Sequence, residues 1–157
     1  MRYNIENHYL YRDKLLKEIP NILHDVYDAL EEKGYKAIDQ MIGYFGSGDP
    51  SYITMHNNAR LIIRHVNRED IFKAMLRSYL DKENQEMSDI LRYVYNALEE
   101  KGYDAIDHIV EYLFYNNPAF ITMRNNARNI IQHVNRDDIF EVLLRSYLGK
   151  PKEENKT

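Results

Sequence analysis

The chain has 157 residues, 44% hydrophobic and 29% charged, with 14 tyrosines, no tryptophan and no cysteine. The lack of cysteine excludes disulfides, thiolate metal sites and cysteine nucleophiles, and a formal charge of −4 argues against a general nucleic-acid binder, which needs a net basic footprint. No stretch approaches the roughly 18 apolar residues of a membrane span and residues 1–14 contain no apolar signal-peptide core, so a cytoplasmic location is expected.

In chain order, residues 5–18 predict an extra N-terminal helix that ends before Pro20. Ile22, Leu23, Val26, Tyr27 and Leu30 then fall on one helical face. This helix closes at Glu31-Glu32-Lys33-Gly34, where Gly34 suits the left-handed position after a helix end. Ala37, Ile38, Met41, Ile42 and Phe45 predict a second helix. Gly46 to Pro50 reads as a loop, with Asp49 capping the next turn and Pro50 at its first position. A third helix is expected over about 54–66, with Met55, Ala59, Ile62, Ile63 and Val66 inward. Asn67 caps a fourth, with Glu69 and Asp70 in its first turn and Ile71, Phe72, Met75, Leu76 and Tyr79 as its buried stripe.

This pattern then returns. Residues 22–80 align without a gap to residues 90–148, shifted by 68, with about 37 of 59 positions identical. VYDALEEKGYKAID becomes VYNALEEKGYDAID, and ITMHNNARLIIRHVNREDIF becomes ITMRNNARNIIQHVNRDDIF. A lone unit of about 60 residues buries only about 60% of its unfolded surface, so two copies are expected to share one globule. The expected fold is all-α: two tandem four-helix repeats packed as a pseudo-twofold bundle, plus the N-terminal helix. The boundaries read as 1–80 for that helix with repeat one, 81–89 for a polar linker in which Ser88 or Asp89 caps the next helix, 90–148 for repeat two, and 149–157 for a disordered tail.

The residues that could carry chemistry read as structural. The six histidines include no i, i+3 or i, i+4 pair for a metal. His65 and His133, which match between repeats, are placed to bond a helix C-terminus. The GSGDP loop lacks the lysine and hydroxyl of a P-loop and follows no strand. Glu31-Glu32, Glu69-Asp70, Asp39 and Asp107 sit at helix ends, where capping and salt bridges account for them. The paired tyrosines Tyr27/Tyr95, Tyr35/Tyr103, Tyr44/Tyr112 and Tyr79/Tyr147 read as core packing with a wet hydroxyl. No catalytic, cofactor or metal residue is nominated. The candidates for partner binding are arginines: Arg60, Arg64 and Arg68 in repeat one, and Arg124, Arg128 and Arg136 in repeat two, where Gln132 replaces the middle member. Such a stripe can face an acidic protein surface, a phosphorylated segment or a nucleic-acid backbone, or else pair within the chain.

VYDALEEKGYKAIDQMIGYFGSGDPSYIT, NNARLIIRHVNREDI and RSYL, in this order and spacing, resemble the IreB family of small helical regulatory phosphoproteins from Gram-positive bacteria. Repeat two shares ALEEKGY and NARNII…NRDDI but departs at EYLFYNNPAFI, so the chain resembles two family domains in tandem. The resemblance implies a helical fold that pairs as a homodimer, no enzymatic activity, and no cofactor. It implies a role in cell-envelope stress control downstream of a transmembrane Ser/Thr kinase, tuning peptidoglycan precursor synthesis through Clp-protease turnover of the first committed enzyme. Expected partners are therefore Clp-protease components or cell-wall precursor enzymes. The family is phosphorylated on an N-terminal threonine, whereas residues 1–46 contain no serine or threonine, so control by that route is not expected and the phosphorylation site is unassigned. The leading expectation is a non-enzymatic regulator acting by protein contact. The alternative is a helical nucleic-acid-binding module using the arginine stripe.

Overall fold

The computed structural model describes residues 5–82 and 88–152. Among these, α1 (Ile5–Glu32), α2 (Ala37–Ser47), α3 (Ala59–Arg64) and α4 (Arg68–Asp81) form repeat one. Repeat two has α5 (Ser88–Glu100), α6 (Ala105–Tyr115), α7 (Ala127–Gln132) and α8 (Arg136–Leu148). Two short 3-10 turns separate the second and third helices of each repeat, at Pro50–Tyr52 and His56–Asn58, and at Pro118–Phe120 and Arg124–Asn126. The described residues contain no strand.

Most boundaries follow local chemistry already visible in the residues. Gly34 and Gly102 adopt φ +80° and +81°, closing α1 and α5. The Asn67 and Asn135 side chains accept from the amides of Glu69 and Asp137 at the starts of α4 and α8. Asp49 accepts from the Ser51 amide ahead of Pro50. Ile71, Phe72, Met75, Leu76 and Tyr79 form the buried face of α4 as the periodicity requires.

Several expectations need correction. The N-terminal helix does not stop before Pro20; α1 runs through it as one helix to Glu32. Pro20 lies on the exposed face, beside exposed Lys17 and Glu18 and away from buried Ile19, Leu23 and Val26, so water can satisfy the carbonyl that loses its amide partner. The third helix is not continuous over 54–66. Asn57 and Asn58 take φ 52° and 59°, as do their counterparts Asn125 and Asn126 at 53° and 63°. Asparagine is the non-glycine residue that best tolerates this conformation, and the resulting break turns Met55 outward to 70% exposure. Tyr35 and Tyr103, expected in the core, are exposed just beyond the glycines that end α1 and α5. The connector is shorter than 81–89, because Asp81 ends α4 and both Ser88 and Asp89 belong to α5; residues 83–87 lie outside the described residues. Gly149 and Lys150, placed in the tail, instead close α8 through amide bonds to Ser146 and Arg145. Residues 153–157 of that tail also lie outside the described residues.

The repeats share their interior. α4 packs on α6 and α8, and α2 packs on α8, so a helix of each repeat sits against a helix of the other. Phe72 and Phe140, at matching positions, meet with ring centroids 4.9 Å apart. Phe45 stands edge-on to Phe72 at 5.7 Å and Phe114 reaches it at 6.4 Å. Lys73 of α4 pairs with Asp107 of α6 at 3.3 Å, and the Lys82 ammonium donates to the Ser146 carbonyl at 2.7 Å. One continuous set of buried residues, from Ile19 to Leu148, results.

Phe72→Ala therefore removes a ring on which both repeats pack. Destabilisation of about 3–5 kcal/mol is expected. Urea unfolding followed by circular dichroism should remain a single transition in the wild type and shift to lower urea in the variant, whereas two separated transitions would contradict a shared core.

Candidate functional site

The structure separates the six candidate arginines by role. Arg60 donates from Nε to the Ile53 carbonyl at 2.7 Å, and Arg128 does the same to Ile121 at 2.8 Å. Arg68 donates from Nη1 to the Phe45 carbonyl at 2.7 Å, and Arg136 to Leu113 at 2.6 Å. These four side chains are half-buried and make the same bonds at matching positions of the two repeats. Each satisfies a backbone oxygen near the end of the second helix or the following 3-10 turn, where the helical ladder supplies no amide. Pairing within the chain thus occupies them, through backbone carbonyls. Arg68 has a further contact: its guanidinium lies 4.7 Å from the centroid of Phe114 in repeat two. Gly48, at φ +74°, clears the space beside it, since a Cβ there would come within 2.7 Å of Arg68 Nη2.

Arg64 is exposed on α3. Arg124 pairs through Nε with Glu100 at 2.9 Å, and Asn125 donates to the same carboxylate at 3.1 Å. These bonds hold the Glu100 carboxyl below its ordinary value, with the Arg124 bond as the larger cause. In repeat one, His56 stands where Arg124 stands and donates from Nε2 to Glu32 at 2.7 Å, with Asn57 donating at 3.1 Å. The six arginines therefore do not form a single free row.

His133 donates from Nδ1 to the Asn129 carbonyl, at the C-terminal end of α7, at 2.7 Å. His108 and Gln40, at matching positions, both tie the second helix of their repeat to the 3-10 turn that follows. His108 donates from Nδ1 to the Phe120 carbonyl at 2.8 Å, and Gln40 donates to the Tyr52 carbonyl at 3.0 Å. Burial pushes the Tyr44 hydroxyl above its ordinary range, against the opposing pull of Arg68 and Arg64. Tyr112 is likewise raised by burial, opposed by Arg136. Among the described residues, no three His, Asp or Glu side chains gather as a metal would require.

Reasoning from residue types alone missed one grouping. Lys101, Tyr103 and His108 line a cleft together with Thr122, Arg124 and Arg128. The available signal was the comparison between repeats: His108 stands where repeat one has Gln40, and Arg124 where it has His56, so repeat two holds an imidazole in place of an amide and a guanidinium in place of an imidazole.

The described residues are all-helical, in two copies of one unit with paired arginine–carbonyl bonds at matching positions. The model of the IreB regulatory phosphoprotein family matches residues 6–81 and again 81–149, and the chain belongs to that family. Both matches begin ahead of the 59-residue repeat, so the first half of α1 belongs to the family domain and is not an addition to it.

Two outcomes follow from these bonds. Arg68→Ala strands the Phe45 carbonyl and uncovers Phe114, and is expected to cost about 1–3 kcal/mol in chemical denaturation, with Arg68→Lys recovering only part because it lacks the planar fork. The Glu100 carboxyl should titrate below the ordinary 4.5. Its folded pKa being depressed, the stabilisation from this pairing is complete above 4.5 and disappears as pH falls through the lowered value. Carbon-detected NMR titration should return Glu100 towards 4.5 in Arg124→Ala.

Proposed function

We propose that the protein is a non-enzymatic regulator that acts by protein contact in cell-envelope stress control and peptidoglycan precursor synthesis. The observation that carries this reading is the family match over both halves of the chain. We read the two repeats as standing to each other as two subunits of a family homodimer would, and the packing of α4 on α6 and of α2 on α8 supports that reading. No helix among the described residues is long and apolar enough to cross a membrane, which suits a partner reached from solution.

The contact face best supplied for a partner is the outer side of α3. Leu61 is 55% exposed and Arg64 is also exposed; three residues apart, they share one side of the helix. α7 carries Asn129 and Gln132 at the matching positions. An exposed leucine beside a cation fits an acidic partner surface with an apolar centre, and neither residue is needed for the arginine–carbonyl bonds. Phosphorylation by the family's N-terminal route has no acceptor in residues 1–46, so we place regulation in the contacts themselves.

A crosslinked pull-down with the intact chain beside Leu61→Asp/Arg64→Glu tests this. Clp-protease components or cell-wall precursor enzymes should be recovered with the wild type and lost with the variant, at unchanged helicity. Their absence from both, or equal recovery by both, would overturn the reading or its contact face respectively.

A further inference from the structure

The cleft in repeat two has a volume of about 580 Å³. It lies between the turn that follows α5 and the 3-10 turns that precede α7. Three of its lining residues, Lys101, Arg124 and Arg128, carry fixed positive charge, and none of the lining residues is Asp or Glu. The carboxylate that reaches this group is Glu100, through Arg124. The lining itself thus carries three cations and no carboxylate, with Glu100 reaching Arg124 from outside it.

The guanidinium groups are held in place before any ligand arrives. Arg128 is tied through Nε to Ile121 at 2.8 Å and Arg124 through Nε to Glu100 at 2.9 Å. These bonds use the Nε edge and leave the Nη donors of both groups outside them. A planar fork fixed in this way loses little freedom when it binds an oxyanion. Beside the cations, Tyr103 and His108 lie against each other with centroids 4.8 Å apart, and Phe120 and Met123 add apolar wall. The cleft is thus suited to a charged head attached to a less polar body.

Repeat one serves as an internal comparison. Its matching positions are Lys33, Gln40, His56 and Arg60. The fixed cations there are Lys33 and Arg60, one fewer than in repeat two, and His56 is bonded to Glu32 at 2.7 Å. The additional guanidinium of Arg124 favours a ligand of higher negative charge in repeat two. A phosphate monoester carries about −1.5 to −2 at neutral pH and offers three acceptor oxygens for charge-assisted bonds.

From this we infer that the cleft of Lys101, Arg124 and Arg128 is a binding site for a phosphate monoester, borne on a phosphorylated side chain or on a small metabolite. The inference concerns different residues from the α3 contact and stands or falls separately from the regulatory reading.

The test is an NMR titration of the full ¹⁵N-labelled chain with phenyl phosphate, with benzoate in parallel as a monoanion of similar shape. Phenyl phosphate should shift the amides of residues 101–104 and 119–128 and saturate. Lys101→Gln/Arg124→His, which removes one cation and restores the repeat-one residue at the other position, should weaken binding about tenfold or more with unchanged circular dichroism. Binding of benzoate with equal affinity, shifts scattered over the whole surface, or undiminished binding by the variant would overturn the proposal. Adenosine monophosphate and a phosphoserine tetrapeptide flanked by alanines then separate the sources: tighter binding of the first points to a metabolite, and of the second to a protein.

Discussion

The contact between Phe72 and Phe140 is the one on which the remaining architecture depends. Each ring belongs to the fourth helix of its own repeat, and each completes the core of the other. Without that contact the apolar faces of α4 and α8 would open to water, because a unit of this size has too little interior to cover its own fourth helix. Phe45 and Phe114 extend the same aromatic group from the second helices. The interior is therefore continuous where the two repeats meet.

Around that centre, the helices are fixed at their ends more than along their sides. The short third helices and the 3-10 turns ahead of them leave many backbone oxygens without amide partners. Arginine supplies the missing donors, from seven residues ahead at Arg60 and Arg128 and from 23 residues ahead at Arg68 and Arg136. The glutamate that ends the first long helix of each repeat works from the other side, accepting from Asn57 or Asn125 in the left-handed turn. Retained polar residues in this chain thus mark places where the backbone departs from regular helix.

Legibility in the sequence follows the same division. The fourth helices could be read residue by residue, because an asparagine cap, acidic first turn and apolar stripe all point to one element. The break before the third helix could not be read from periodicity, since Met55 falls in phase with Ala59 and Ile62. Only the asparagine pair, present in both repeats, carries the signal. Pro20 was misleading for a different reason: whether proline ends a helix depends on whether its orphaned carbonyl reaches water, which is a tertiary fact. The arginines were recognised as significant from their recurrence, but a bond spanning 23 residues has no trace in local spacing. The basic cleft becomes legible only by setting one repeat against the other, since Lys101 alone resembles any surface lysine.

Gly46 and Phe114 occupy matching positions yet face different surroundings. Phe114 covers the Arg68 guanidinium, while the space beside Gly46 leads to Asp137 at 3.7 Å from where a Cβ would stand. Two identical subunits meeting about a twofold axis cannot make such a choice, because every substitution appears on both sides of the interface. A chain that carries both copies is free of this rule. One side can gain an aromatic lid and the other keep a glycine, so each mutation is selected for one place instead of two. With both copies in one chain, the duplicated protein can differ between its two halves and so carry a front and a back.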